Sequence, residues 1–432
     1  MFFGRKKQAE VLAALERDSK QPRYWRMVWK RFRKNRTALW AWRGVATLFV
    51  IALLGTFIAN EKPLYAKIGD THYFPVFRNI AVQLNWSKWD KDLIHADWVT
   101  MDYESVIRAP IPYGPNYIDK KNTGKGPFSD QNIASTQFRH WLGTDDLGRD
   151  VAAGMIQGTR ISLMVGIITM TIACMIGLIL GTVAGYFGDG RLELSRVRLV
   201  LNVIGLSLGL YYALGVRSYQ LTEGNFILLE WIKRFFIFVT VLLGMNSLSS
   251  LLEKISFLGK RVVVGIDLII MRIIESLNTI PGLFLLLAIL PLFSGNSIFN
   301  IMLILGLISW TGIAQFARGE MLRVRNLQYV EAAQALGYSS RRIILRHALP
   351  NALTPILIVI AFGMAGAILA ESSLSFLGIG SGEITWGTIL SKGRNYLSYW
   401  WLTVLPGLAI FFTVTCFNLI GDGLSEALRN SK

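Results

Sequence analysis

Few residues of this 432-residue chain have the types and spacing that chemistry needs. The segment 143–148 (Gly-Thr-Asp-Asp-Leu-Gly) has the glycine spacing of a phosphate-binding loop. Arg149 and Asp150 follow it, where such a loop needs Lys and then Ser or Thr. The sequence has no Gly-x-Ser-x-Gly or His-Glu-x-x-His pattern, and its two cysteines offer no metal-ligand spacing. We therefore expect no ATP hydrolysis, no other catalysis, and no cofactor or metal in the chain itself.

The composition points to a membrane protein. Hydrophobic residues make up 52% of the chain and charged residues only 17%, whereas soluble proteins are about a quarter charged. The net charge of +17 is unevenly placed, because residues 1–43 hold thirteen Lys/Arg against three acids while 60–160 holds twelve of each. Basic residues retained on the cytoplasmic side explain this distribution, so we expect no nucleic-acid binding.

Charged residues inside or beside apolar runs are the next candidates, since charge in a membrane is costly and often functional. Arg272 and Glu275 lie at i and i+3 and could either line a pathway or pair with one another. The sequence leaves both alternatives open. Glu371 lies late in an apolar run, and we favour a role for it at an extracytoplasmic gate.

The apolar runs predict an all-α integral membrane protein. Residues 1–43 form a cytoplasmic basic region whose Trp25, Val28, Trp29 and Phe32 recur as in a helix on the membrane surface. The predicted segments that follow are a first span at 44–59, an extracytoplasmic subdomain at 60–160 and a core at 161–432. Eight runs are candidate spans: 44–58, 161–187, 199–216, 235–252, 262–293 (divided and kinked at Pro281), 298–316, 353–377 and 402–420. The 199–252 pair is the least certain, and a crossing by both or by neither leaves both termini cytoplasmic.

The segment 329–350, inside a cytoplasmic stretch at 317–351, has the pattern helix, break, helix. Residues 331–336 are good helix formers, and Gly337 can supply a left-handed cap. Ser339 or Ser340 can cap the second helix, and Pro350 should prevent its smooth continuation. Such an elbow suits a projection that another protein grips.

This elbow resembles the EAA loop of ABC importer permeases, whose helix docks in a groove of an ATPase subunit. Glu331, Ala332, Ala333, Gly337, Leu349 and Pro350 fall at the family's spacing. His347 replaces the usual Ile, as is common in the peptide-transport branch. The resemblance implies that these residues and Arg341 couple the chain to the ATPase.

Further segments are similar to dipeptide and oligopeptide permeases, namely 140–150, 158–163, 371–378, 386–387 and 417–428, while 59–64 and 73–75 resemble the Yej-type branch. The insertion 190–260, expected to be a helical hairpin, has no counterpart in the family core. The resemblance implies a type I permease with six core helices in the bacterial inner membrane. It would import peptides, including microcin C-like cargo, by alternating access.

The resemblance also implies the partners: a second homologous permease, one or two kinds of ABC ATPase that bind ATP and Mg, an extracytoplasmic peptide-binding protein and membrane lipid. Two alternatives remain. An ion-coupled secondary carrier would need broken-helix repeats and intramembrane ionisable residues, and a membrane scaffold or enzyme would be active as a lone chain.

Overall fold

The computed structural model describes residues 21–90, 93, 96–190, 193–216, 227–253, 255, 261–292 and 297–429. The helices are α1 Gln21–Phe32, α2 Arg36–Ile58, α3 Pro75–Gln83, α4 Val151–Phe187, α5 Arg196–Leu210, α6 Ile227–Leu252, α7 Ile266–Thr279, α8 Gly282–Ile289, α9 Ile298–Val324, α10 Gln328–Ala335, α11 Ser340–Ile343, α12 Leu349–Phe376, α13 Trp386–Asn395 and α14 Trp401–Arg429. The strands are β1 Tyr65–Ile68, β2 Thr71–Tyr73, β3 Ser105–Ile107, β4 Glu193–Ser195 and β5 Arg261–Val263. Contacts divide the chain into two compact units, Met1–Thr171 with Leu357–Lys432, and Ile172–Ile356.

Six helices of the described residues are long and apolar enough to cross a membrane, and the bent pair α7–α8 would be a seventh. They are Arg36–Ile58, Val151–Phe187, Lys233–Leu252, Ile298–Val324, Pro355–Phe376 and Trp401–Arg429. The predicted run 199–216 does not qualify, because α5 has only 15 residues and a span needs roughly 20. A five-residue π-helical turn, Tyr211–Gly215, continues α5.

In the unit formed by both ends of the chain, α2 packs along α14. Ala41 and Val45 meet Cys416 and Phe417 in a buried cluster. The apolar stripe of α1 divides, since Val28 and Phe32 pack on Ala427 while Trp29 stays exposed. The side chain of Trp25 lies outside the described residues. The predicted surface helix therefore packs partly on protein.

The segment after α2 carries a small antiparallel sheet in the order β2-β1-β3. Pro75 begins α3, where its missing N–H leaves no bond unmade. The subdomain expected at 60–160 ends earlier, because α4 begins at Val151 rather than at the predicted Ile161.

In the other unit, Gly177, Gly181 and Gly185 form a stripe that lets α4 lie directly against α9. A Cβ on Gly181 would stand 2.7 Å from the Ala317 Cβ, and one on Gly185 would stand 2.6 Å from the Met321 Cβ. Small residues at this spacing allow two membrane helices to approach closely.

The 190–260 insertion contains α5 and α6, which pack against one another. Gly205 faces Met245 and Gly209 faces Phe238, so small residues again allow a close approach. The antiparallel pair β4–β5 joins the two ends of the hairpin. At this base, Ser195 Oγ donates to Glu253 Oε1 at 2.6 Å, and Arg198 pairs with the same carboxylate at 3.3 Å.

Two prolines act differently from the prediction. At Pro281 the expected kink is a break, because Ile280 and Pro281 are extended (ψ 123° and 129°) and α7 and α8 meet at 90°. At Pro350 the expected interruption does not occur. A π-helical turn at Ile344–Ala348, in which the Leu349 N–H donates to the Ile344 carbonyl, leads directly into α12. The wider turn accommodates the missing N–H of Pro350.

Candidate coupling site and membrane-embedded charges

The elbow at 328–349 begins with α10, which has one buried and one exposed face. Val330 and Ala333 are buried, whereas Glu331, Ala332 and Leu336 are exposed. The buried residues are three positions apart, as expected for one face of a helix, and the exposed residues lie between and beyond them. This pattern is typical of a short helix on a protein surface. The predicted coupling residues Glu331 and Ala332 therefore share an outward face, while Ala333 anchors the helix from behind.

Gly337 ends α10 as the sequence analysis predicted. Its φ is +78°. The Gly337 N–H donates to the Gln334 carbonyl at 2.9 Å, and the Tyr338 N–H donates to the Ala333 carbonyl at 3.1 Å. These two bonds form a Schellman motif, which satisfies the free carbonyls of the last turn.

The second arm of the elbow is short and basic. Ser339 is at the N-cap position of α11, but its side chain makes no capping bond, so the predicted serine cap is wrong in this respect. Arg341 and Arg342 are exposed, and the Arg342 guanidinium lies 4.4 Å from the centroid of the Tyr338 ring. The His347 ring stacks on the same tyrosine ring, with the two centroids 6.2 Å apart. Burial, with the charges of Arg346 and Arg342, lowers the pKa of His347.

A buried cluster fastens the elbow to the helices of its own unit. The members are Tyr186, Met321, Val324, Val330, Ala333, Ile343, Ala348 and Ala352, with Leu349 packed against them. They come from α4, α9, α10, α11, the π-helical turn and the start of α12. A displacement of α10 would therefore be transmitted to several long helices at once.

Polar contacts that sequence reasoning missed lie in the same unit. Arg318 of α9 forms a two-pronged ion pair with Asp267 of α7, with Nη2 to Oδ2 at 2.7 Å. Arg325 Nη1 donates to the Gly185 carbonyl at 3.1 Å, and Asp189 Oδ1 accepts from the Leu268 N–H at 3.0 Å. The ends of α4, α7 and α9 are thus tied together.

A cavity of about 360 Å³ opens beside the elbow. It is lined by Tyr186, Phe187, Gln334, Tyr338, Ser340 and Ile343. The cavity lies directly against the arms of the elbow, so a side chain from outside this chain could enter it.

The predicted pathway residues Arg272 and Glu275 do pair, with Arg272 Nη1 donating to Glu275 Oε2 at 2.9 Å. Both side chains are more than half exposed. The local pairing is present, and their role in a pathway stays a prediction.

Glu371 lies in the other unit and is fully buried. Ser375 Oγ donates to its Oε1 at 2.7 Å, and Ser372 Oγ lies 3.4 Å from its Oε2. Gly387 packs on the same turn, where a Cβ would stand 2.6 Å from the Ser372 carbonyl. The role of Glu371 at a gate stays a prediction.

The segment 140–150 is a tight turn that meets α13 and α14. Gly143 and Gly148 have φ of +80° and +89°, so the glycine spacing serves the turn. His140 is fully buried, its Nδ1 lies 2.7 Å from Asp150 Oδ2, and its ring stacks on Tyr113.

Side chains of α13 and α14 hold this segment in place. Lys392 forms ion pairs with Asp145 and Asp146. Trp386 Nε1 donates to the Met155 carbonyl and Trp401 Nε1 to the Thr144 carbonyl, both at 3.0 Å.

Comparisons with known proteins agree with this architecture. The family described as "Binding-protein-dependent transport system inner membrane component" matches residues 256–431, and "N-terminal TM domain of oligopeptide transport permease C" matches residues 23–75. The insertion 190–260 lies almost wholly between these two matches.

Three relatives illustrate the similarity. The inner membrane ABC transporter permease protein YejE of Escherichia coli is 28% identical over 94% of this chain and 96% of its own. The peptidoglycan transport system permease protein YejE of Agrobacterium fabrum is 28% identical over 93% and 91%. The oligopeptide transport system permease protein OppC of Haemophilus influenzae is 31% identical over 67% and 70%.

The chain therefore belongs to the family of inner membrane components of binding-protein-dependent transport systems, and it is a multi-pass permease subunit of an ABC transporter. Within the family it stands with the dipeptide and oligopeptide permeases, which confirms the resemblance found in the sequence. Permease components of this family are not themselves enzymes, because the ATPase is a separate subunit. This membership decides against the ion-coupled carrier and the scaffold.

Proposed function

We propose that this chain and a second homologous permease form the translocation path of an ATP-driven peptide importer. The observation that carries the proposal is the elbow, which exposes Glu331, Ala332 and Leu336 while a buried cluster holds its back. Exposed side chains on a rigidly held projection are what a partner ATPase requires of a coupling element. Arg341, at the second arm of the elbow, is also exposed and adds a positive charge.

The proposed partners follow from the family. An extracytoplasmic binding protein delivers the cargo, and the ATPase subunits bind ATP and Mg. The termini and the elbow lie in the cytoplasm, in keeping with the basic residues of 1–43 and 317–351. Relatives are named for oligopeptides, dipeptides and peptidoglycan, and all of these contain peptide bonds. Peptide is therefore the proposed cargo class, with microcin C-like peptides included.

The proposed mechanism is alternating access driven from the elbow. Closure of the ATPase dimer displaces α10, and the cluster around Val330 and Met321 carries α9 and α12 with it. Packed helices respond to such a push by moving as rigid bodies between discrete states.

Glu331→Ala in the complete transporter tests the proposal. Glu331 is exposed, and among the described residues no side chain forms an ion pair with it, so the chain should fold unchanged. Losing a charged hydrogen bond to the ATPase costs about 1.5–3 kcal/mol, so ATP-dependent peptide uptake into proteoliposomes should fall about tenfold or more. Co-purification of the ATPase should be partly retained.

Glu104→Ala is the matched control, since among the described residues this exposed carboxylate pairs with the partly exposed Lys67, and it lies far along the chain from the elbow. Uptake by the control should equal that of the wild type. Wild-type uptake by both Glu331→Ala and Gly337→Ala would remove the elbow from the coupling path.

A further inference from the structure

The N-terminal helices carry a strongly basic surface that the transport proposal does not use. Residues 21–43 contain eight Lys/Arg and no Asp or Glu. Helix α1 turns Val28 and Phe32 inward, at 3% and 1% exposure, while its cations Arg26 and Lys30 are exposed. We call the exposed cations the basic N-terminal surface: Arg26, Lys30, Arg33, Lys34, Arg36 and Arg43.

Exposed tryptophans are interleaved with these cations. Trp29, Trp40 and Trp42 are 39%, 68% and 44% exposed. The Arg33 guanidinium lies 5.3 Å from the Trp29 ring centroid and the Arg43 guanidinium 5.2 Å from that of Trp40. Tryptophan prefers the boundary between headgroups and acyl chains. The aromatic rings therefore place the neighbouring cations at the level of lipid headgroups.

The position of the basic N-terminal surface along the chain also places it at the level of the lipid headgroups. Helix α2 begins at Arg36 and is apolar enough to cross the membrane. Asn35 caps it by accepting from the Ala38 N–H at 3.0 Å, and its Nδ2 donates to Glu426 at 2.7 Å. Since a helix rises about 1.5 Å per residue, residues 36–43 extend over only about 10 Å, so the cations of this segment lie near the headgroup layer, which is about 5–8 Å deep on each side.

We propose that the basic N-terminal surface binds the headgroups of anionic phospholipids in the bilayer that α2 crosses. The six cations outnumber the carboxylate of Glu426, which lies beside them and accepts a hydrogen bond from Asn35 Nδ2 at 2.7 Å. The aromatic rings and the start of the span fix the cations at headgroup depth, where phosphate is the available anion. An acidic protein segment is the other anion that could meet this surface, and the experiment below separates the two.

The full chain in lipid nanodiscs provides the test. Met27, which is 45% exposed on α1, is replaced by Cys in a background of Cys174→Ser and Cys416→Ser and labelled with bimane. Quenching by brominated phosphatidylglycerol is compared with quenching by brominated phosphatidylcholine. Each cation near an anionic surface strengthens binding about fivefold, so K30Q/R33Q/K34Q should lower the preference for phosphatidylglycerol by about one to two orders of magnitude.

The controls are matched in charge and chemistry. K88Q/K120Q/K121Q removes three exposed lysines of the loop after α2 and should keep the preference, as should K30R/R33K/K34R. The wild-type preference should also shrink as salt is raised. An unchanged preference in K30Q/R33Q/K34Q overturns the proposal, and so does an equal loss in the loop control. Unchanged lipid preference with loss of a co-purifying protein would assign the surface to that protein instead.

Discussion

Gly337 shows how a single backbone position defines the elbow. Its φ of +78° lies in the left-handed region, while an added Cβ would meet no atom within 4 Å. Gly337→Ala should therefore destabilise the chain through backbone strain alone, by about 1–2 kcal/mol. We expect a lower unfolding midpoint for the purified chain in detergent, and a smaller decrease for Gly337→Asn, which tolerates this conformation better.

Gly319→Ala serves as the comparison for that measurement. Gly319 also has open space around its Cβ position, but it lies within α9 at an ordinary helical φ. Alanine is favoured over glycine there by about 1 kcal/mol, so the midpoint should stay or rise. An equal decrease in the unfolding midpoints of Gly337→Ala and Gly319→Ala would contradict backbone strain at Gly337 as the cause of the destabilisation.

At the residue scale, the sequence predicted those features that are determined by residues adjacent in the chain. The cap at Gly337 and the exposed Glu331 follow from a local pattern of helix, glycine and helix. The pair of Arg318 and Asp267 joins residues 51 positions apart, and no local pattern indicates such a contact. Arg318 lies in the predicted cytoplasmic stretch 317–351, and its partner Asp267 is evident only from the fold.

The glycine stripe on α4 determines how closely two long helices approach. Gly181→Ile should force α4 and α9 apart, because a Cβ there would already stand 2.7 Å from the Ala317 Cβ. Overpacking of this kind costs about 1–3 kcal/mol, so the yield of monodisperse chain and its unfolding midpoint should both fall. Gly312→Ile in α9 meets open space and should leave both unchanged. If Gly181→Ile behaved like Gly312→Ile, the close approach would not contribute to stability.

At the element scale, the apolar runs predicted where helices exist better than where they bend. The sequence places proline at 281 and at 350, but the two sites differ in backbone hydrogen bonding. Ile280 and Pro281 become extended and break the helix, whereas the π-helical turn before Pro350 lets the helix continue. The outcome depends on the turn that precedes each proline, which residue type alone does not fix.

The whole-molecule topology depends on the inserted hairpin. Strands β4 and β5 pair directly, so both ends of the hairpin lie at one level and it crosses the membrane either twice or not at all. The side chains of Phe235, Phe236 and Leu243 on α6 are 60% exposed or more. In the most apolar stretch of Lys233–Leu252, only 6% of the residues are buried. Apart from the face that packs on α5, α6 is apolar and exposed, and such a helix is stable in lipid rather than in water. Helix α5 is too short to cross alone, but the π-helical turn that continues it extends the helical segment over Arg196–Gly215, about the length of a span. We therefore expect both helices of the hairpin to cross.

Single cysteines and a membrane-impermeant maleimide applied to intact spheroplasts test this topology in a background without Cys174 and Cys416. Val216, which is 45% exposed at the far end of the first hairpin helix, should be labelled from outside when replaced by Cys. Arg196→Cys at the base and Leu336→Cys on the elbow should react only after permeabilisation, and Ser87→Cys provides the external reference. Protection of Val216→Cys until permeabilisation would mean that the hairpin does not cross. The elbow would keep its side of the membrane in either case, because zero and two crossings have the same parity.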